Sequence, residues 1–180
     1  MKKIYFIAVL VFLFSVPAQA ATVSLVPDAT SITVGDQLSV NIVGSDFTEL
    51  SNGFINLGTD DNLQVMSVTI DPYWDFAPST GSAVSPNEWF GIEFDALFNP
   101  PASGNFTIAT VLFEALLPGQ STASILESSA FYSSAGIVLP DTIDSQVSIS
   151  AVPLPPAAWL FLFGLGWIFR LSKSTNKKSM

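Results

Sequence analysis

The chain has 180 residues, no cysteine, six basic and fifteen acidic residues; one domain is expected between its two ends, and disulfides, thiolate metal sites and cysteine nucleophiles are excluded. All the bases (Lys2, Lys3, Arg170, Lys173, Lys177, Lys178) lie in the first three or last eleven positions, whereas every acid lies between Asp28 and Asp144. Nucleic-acid binding needs clustered Lys and Arg to displace counterions from phosphates, so it is excluded for the middle of the chain.

Met1-Lys2-Lys3 is a short positive region, Ile4 to Val16 is apolar, and Ala18-Gln19-Ala20 precedes Ala21 with small residues at the spacing a signal peptidase reads. Residues 1–20 are expected to be a secretory signal peptide cut between Ala20 and Ala21. The apolar run is shorter than the roughly 20 residues a spanning helix needs, which favours cleavage over a retained anchor.

From residue 21 to 150, two-residue alternation and β-branched runs recur and helical periodicity is almost absent. Strands are expected over 22–26, 31–34, 38–43, 53–57, 63–70, 89–94, 106–115, 123–127 and 146–150. Turns are marked at Gly35-Asp36, Asp60-Asp61-Asn62, Pro100 to Gly104 and Pro118-Gly119. That count of short strands in one domain implies an all-β class, a two-sheet sandwich or jelly roll. Val34-Gly-Asp-Gln-Leu-Ser-Val-Asn-Ile, Phe54-Ile-Asn-Leu, Leu63-Gln-Val-Met-Ser-Val and Gly104-Asn-Phe-Thr-Ile-Ala-Thr-Val-Leu-Phe-Glu-Ala resemble, in order, strands of a bacterial cohesin-like sandwich, in the wider family of carbohydrate-binding and scaffold modules. The resemblance covers most of residues 23–149 and implies a fold.

Within this domain the usual parts of an enzyme site, His, Cys, Lys and Arg, are missing. A paired-carboxylate glycosidase needs only two acids about 5 to 9.5 Å apart, and Glu88 with Glu93, or Glu93 with Asp95, are the pairs to nominate. Scattered solvent-facing acids are the simpler reading, and no enzyme is expected. No cofactor is expected either, except that Asp60, Asp61 and Asn62 in a turn are candidate Ca²⁺ ligands, with Asp46 and Glu49 as remote ones; hard cations take such oxygens, although Asx residues also occupy turns for backbone reasons. Asp71 to Phe90 reads as a long Pro-, Ser- and Gly-containing loop. Its rings Tyr73, Trp74 and Trp89 are candidates for sugar or protein contact, or else they pin the loop as a small satellite core.

Beyond the domain, Val152-Pro153-Leu154-Pro155-Pro156 (residues 151–156 with Ala151) cannot continue into a helix. An apolar run from Ala157 to Leu171 and a basic tail over 172–180 follow. The run is a short membrane span, with the basic tail cytoplasmic and the acidic domain outside. This order resembles the C-terminal sorting signal of PEP-CTERM proteins, in the variant where Val-Pro-Leu-Pro replaces Pro-Glu-Pro; the tail here is longer and less Arg-rich than usual. The resemblance covers residues 152–178 and implies a partner, exosortase, a membrane-embedded cysteine peptidase of Gram-negative bacteria that make extracellular polysaccharide. It implies a chain held in the inner membrane at least transiently, with its domain in the periplasm, and then delivered to the cell surface or beyond. The function expected is structural or adhesive, linked to exopolysaccharide or to another surface protein; the alternative is a displayed carbohydrate- or protein-binding module.

These signals predict a mature chain that starts at Ala21 and ends between Val152 and Pro156. Intact-mass measurement on protein from cells and medium checks both ends: Met1 on exported material would refute the first cut, and retention of Trp167 with the basic tail would refute the second.

Overall fold

The computed structural model describes residues 20–151; the signal-peptide, sorting-motif and membrane-span expectations fall on residues outside these. Among the described residues Ala21 is the first tied into the fold, its carbonyl accepting the Asp141 N–H at 2.9 Å. The strands are β1 (Thr22–Pro27), β2 (Ser31–Thr33), β3 (Gln37–Thr59), β4 (Leu63–Ile70), β5 (Phe76–Ser85), β6 (Glu88–Asp95), β7 (Ala102–Ala115), β8 (Gly119–Ile125), β9 (Ala130–Ser133), β10 (Gly136–Val138), β11 (Asp141–Ile143) and β12 (Ser145–Ser150). The all-β expectation holds. One layer runs β4-β7-β3-β1-β11 and the other β5-β6-β3, with β8 and β9 on the far side of β3, then β12 and β2 beyond β8.

Strand β3 belongs to both layers because its alternating pattern resumes beyond the gap between the strands expected over 38–43 and 53–57. Leu38, Val40 and Ile42 are buried against β1 and β7, while Ile55 and Leu57 are buried between β6 and β8. Between them the chain crosses from layer to layer. Register shifts against β7 and left-handed backbone at Asp46 (φ 60°) and Glu49 (φ 53°) make the bend, which is what bulges do at the corners of sandwiches.

The space that the bend opens is filled with rings. Trp74 packs on Phe94 at 4.7 Å between centroids and on Phe106 at 5.7 Å, Phe47 lies 5.6 Å from Phe106 and 6.0 Å from Phe131, and Tyr73 stands edge-on to Trp74 at 5.3 Å. Such edge-to-face and tilted contacts add to the area these large side chains bury. Two glycines of β3 make room: a Cβ on Gly44 would lie 2.5 Å from the Phe106 ring, and one on Gly53 would lie 2.7 Å from Phe94 and 2.8 Å from the Ala130 carbonyl.

The long loop expected from Asp71 to Phe90 is corrected by the structure. Only residues 71–75 and the turn at Pro86-Asn87 lie outside strands, and β5 pairs with β6 along most of its length. Pro78, Gly81 and a run of Ser and small residues carry little intrinsic strand preference, but an edge strand tolerates proline, and the ladder offered by β6 decides the conformation. Short strands β9, β10 and β11 were likewise not expected from sequence.

Gly53→Ala is predicted to destabilise the protein by about 1–3 kcal/mol, because the Ala130 carbonyl is backbone of the paired strand β9 and cannot move aside alone. A lowered urea midpoint with an unchanged slope is the expected result.

Candidate functional site

Alternation along β3 and β6 sorts their side chains between core and solvent. On β6, Ile92 and Phe94 point inward while Glu93 and Asp95 face out; on β3, Ile55 and Leu57 point inward while Asn52 and Phe54 face out. Register then lines up the outward residues of four strands. Phe76, Asp95, Asn52 and Tyr132 form one cross-strand row, and Ser79, Glu93, Phe54 and Ala130 form the next. Because directly opposite side chains in an antiparallel pair sit about 5 Å apart, the rows enclose a groove of about 200 Å³, walled by Phe54, Phe76, Pro78 and Tyr132 with Glu93 and Asp95 along it.

The groove rests on a rigid floor. Asn56 of β3, buried at 6% exposure, accepts the Gly91 N–H at 2.9 Å through its side-chain oxygen and donates to Ser128 Oγ at 2.9 Å. Gly91 has φ 82°, a conformation that favours glycine, and the amide of Asn56 holds this kink of β6 to the segment between β8 and β9. Ser51 Oγ donates to the Tyr132 carbonyl at 3.0 Å and fixes β9 beside β3. At the end of the groove Asp75 accepts three backbone N–H groups, from Leu97, Phe98 and Asn99, at 2.7–2.9 Å. That clamp presents Phe98, 85% exposed, on a loop with little freedom.

Of the residues singled out from sequence, Glu93 and Asp95 line this groove, whereas the nominated rings and the nominated cation ligands lie elsewhere. Trp74 is 3% exposed, its Nε1–H donates to the Thr107 carbonyl at 3.2 Å, and its ring belongs to the main core, so it presents no contact surface. Tyr73 leans on Trp74 and donates its hydroxyl to the Pro100 carbonyl. Trp89 lies half-buried on the inner side of β6, donating to the Thr80 carbonyl at 2.9 Å. The ring residues of the groove, Phe54, Phe76 and Tyr132, went unnamed, although Phe54 at a solvent-side position of an alternating strand was a readable sign.

Asp60, Asp61 and Asn62 do share one turn, but their polar atoms are engaged. Asp60 Oδ1 accepts the Asn62 N–H at 3.0 Å and Ser121 Oγ–H at 2.6 Å, and Oδ2 accepts the Thr122 N–H at 2.9 Å. Three of the roughly four acceptor positions of a carboxylate are thereby filled. Asp61 accepts from Asn87 Nδ2 at 2.7 Å, and Asn62 Nδ2 donates to the Gln120 carbonyl at 3.1 Å. Asp46 and Glu49 sit apart, on the crossing of β3, where Glu49 accepts from Ser134 Oγ. Among the described residues no three acidic side chains converge as a cation would require.

No family model and no curated protein matches the chain. Its fold does match solved structures. A non-cellulosomal cohesin from the archaeon Archaeoglobus fulgidus superposes with a TM-score of 0.60 at 13% identity, over 73% of this chain and 92% of that one. The fold is cohesin-like. The seventh ScaB type I cohesin of Pseudobacteroides cellulosolvens gives 0.61 at 13% identity over 76% and 96%, and a type I cohesin–dockerin complex from Clostridium thermocellum gives 0.59 at 12% over 74% and 95%.

Asp60→Ala is predicted to lower stability by about 2 kcal/mol, through loss of bonds to a charged acceptor and an unpaired Ser121 hydroxyl. With these acceptors engaged, thermal melts in millimolar Ca²⁺ and in chelator are expected to coincide for the wild type; a melt raised by Ca²⁺ would assign a metal role to this turn.

Proposed function

We propose that this protein is a non-catalytic, protein-binding module exported from the cell, and that it docks its partner on the outer face of β5, β6, β3 and β9. The observation that carries the reading is the pair of cross-strand rows: aromatic rings and carboxylates set side by side on a sheet face whose backbone is fixed by Asn56 and Asp75. Rigid aromatic anchors with polar neighbours are the composition of recognition surfaces, and a preorganised face loses little entropy when it binds. The cohesin-like fold supports the same reading, since one of the matched cohesins was solved together with a dockerin. Export and display are supported by the order of signal sequence, acidic domain, proline motif, apolar run and basic tail, with an exosortase-type peptidase as the processing partner and a surface protein in an exopolysaccharide matrix as the binding partner.

A photo-reactive amino acid in place of Phe54, introduced in the native host, is predicted to trap one discrete protein adduct. The same residue in place of Thr69, exposed on β4 of the opposite layer, is predicted to trap none. Equal labelling from the two positions would refute the assignment of the face, and a polysaccharide adduct at Phe54 would replace a protein partner with a carbohydrate one.

A further inference from the structure

The docking face holds two carboxylates that the fold itself does not use. Asp28, Asp36, Asp60, Asp61, Asp71 and Asp75 each accept at least one hydrogen bond from backbone or side chain. By contrast, no hydrogen bond or ion pair reaches the carboxylate of Glu93 or Asp95 among the described residues, although both stand on the same side of β6 with a single residue between them. No cation is available nearby in sequence to balance them, since residues 4–169 contain no Lys, Arg or His. No basic side chain of the domain itself can pair with them, so a basic group of a bound partner would meet two uncommitted acceptors.

The groove's size and walls narrow what that charge is. At about 200 Å³ it is smaller than the roughly 300–1,000 Å³ of sites that take whole small molecules, and it suits one long side chain. Apart from the two carboxylates its walls are mainly rings and apolar groups, Phe54, Phe76, Pro78, Phe94 and Tyr132, with Asn52 beside them. A hydrated metal ion gains nothing from such walls, and an ammonium is a strongly hydrated point charge. A guanidinium is planar and weakly hydrated, stacks on aromatic faces and pairs with carboxylates through parallel N–H donors. Resting on the docking reading above, we infer that the groove is an arginine subsite: one arginine of the partner protein lies between the rings of Phe54, Phe76 and Tyr132, with its guanidinium paired to Glu93 and Asp95. Association is then faster at low ionic strength, because the acidic domain attracts a basic partner over a distance that salt shortens.

The test titrates the full-length chain in detergent with acetyl-arginine methylamide, and with the lysine and citrulline analogues, following backbone amide shifts by NMR. Expected is a saturable response to the arginine probe centred on Phe54, Glu93, Asp95 and Tyr132, with citrulline and lysine each weaker by roughly tenfold. In Glu93→Gln/Asp95→Asn the arginine response falls by a similar factor while the rest of the spectrum is unchanged, and Glu114→Gln/Glu127→Gln leaves it intact. Citrulline or lysine matching arginine would overturn the proposal, as would shifts spread evenly over all the acidic residues. The cross-linking experiment separates this from the docking reading. An adduct at Phe54 that survives in Glu93→Gln/Asp95→Asn with undiminished yield removes the arginine and keeps the docking face, whereas absence of the adduct in the wild type removes both.

Discussion

One strand serving two sheets is the constraint on which the sandwich depends. Over its 23 residues β3 pairs with β1 and β7 in one layer and with β6, β8 and β9 in the other, so the bend at residues 44–51 sets the separation and the angle of the two layers. Everything at the bend is arranged around that geometry. Gly44 and Gly53 bring the backbone against Phe106 and Phe94, Asp46 and Glu49 take the left-handed conformation, and the cluster of Phe47, Trp74, Phe94, Phe106 and Phe131 fills the wedge between the sheets. The groove on the outer face inherits its shape from the same source, because Asn52 and Phe54 emerge where the strand enters its second layer.

A surface with acids and no bases has few ion pairs to offer itself. Many of the carboxylates are instead put to work as acceptors for backbone N–H groups, as Asp75 is for the loop after β6 and Asp60 for the start of β8. Such bonds do not need a counter-charge, and they hold turns where cross-links are absent. Like charge over the whole domain also works against contact between two copies and lets a partner of opposite sign be selected by field as well as by fit.

The sequence made some of this legible and hid the rest for identifiable reasons. Strand β4 has the bounds expected from its pattern, and the core positions of β3, β6 and β7 follow from alternation alone. The bend of β3 falls in the gap between two expected strands, because Gly44-Ser45-Asp46 and Ser51-Asn52-Gly53 are turn-like in composition, and local chemistry does not reveal that the alternation resumes in a second sheet. Strand β5 was hidden because its conformation comes from a partner, not from its own residues. The site suffered most: Trp74 drew attention as a ring in a loop and proved to be core, while Phe76, Asp95, Asn52 and Tyr132 meet only through a register that spans more than fifty residues of sequence. Glu93 and Asp95, considered as a catalytic pair and set aside, instead line a groove whose other walls are mainly aromatic.

The placement of the first and last strands, β1 and β12, has a mechanical consequence. Thr22 pairs with Ser45 and Asp141 at one end of the sandwich, and Ser150 pairs with Thr33 at the other. Tension applied between a tether after Ser150 and a load at the opposite end would therefore drag β12 lengthwise past β2 and β8, and β1 lengthwise past β11 and β3. Strands slid along their own axes must give up their ladder bonds together, whereas strands peeled sideways give them up one at a time. The strand directions that close this sandwich thus also suit it to bear pull.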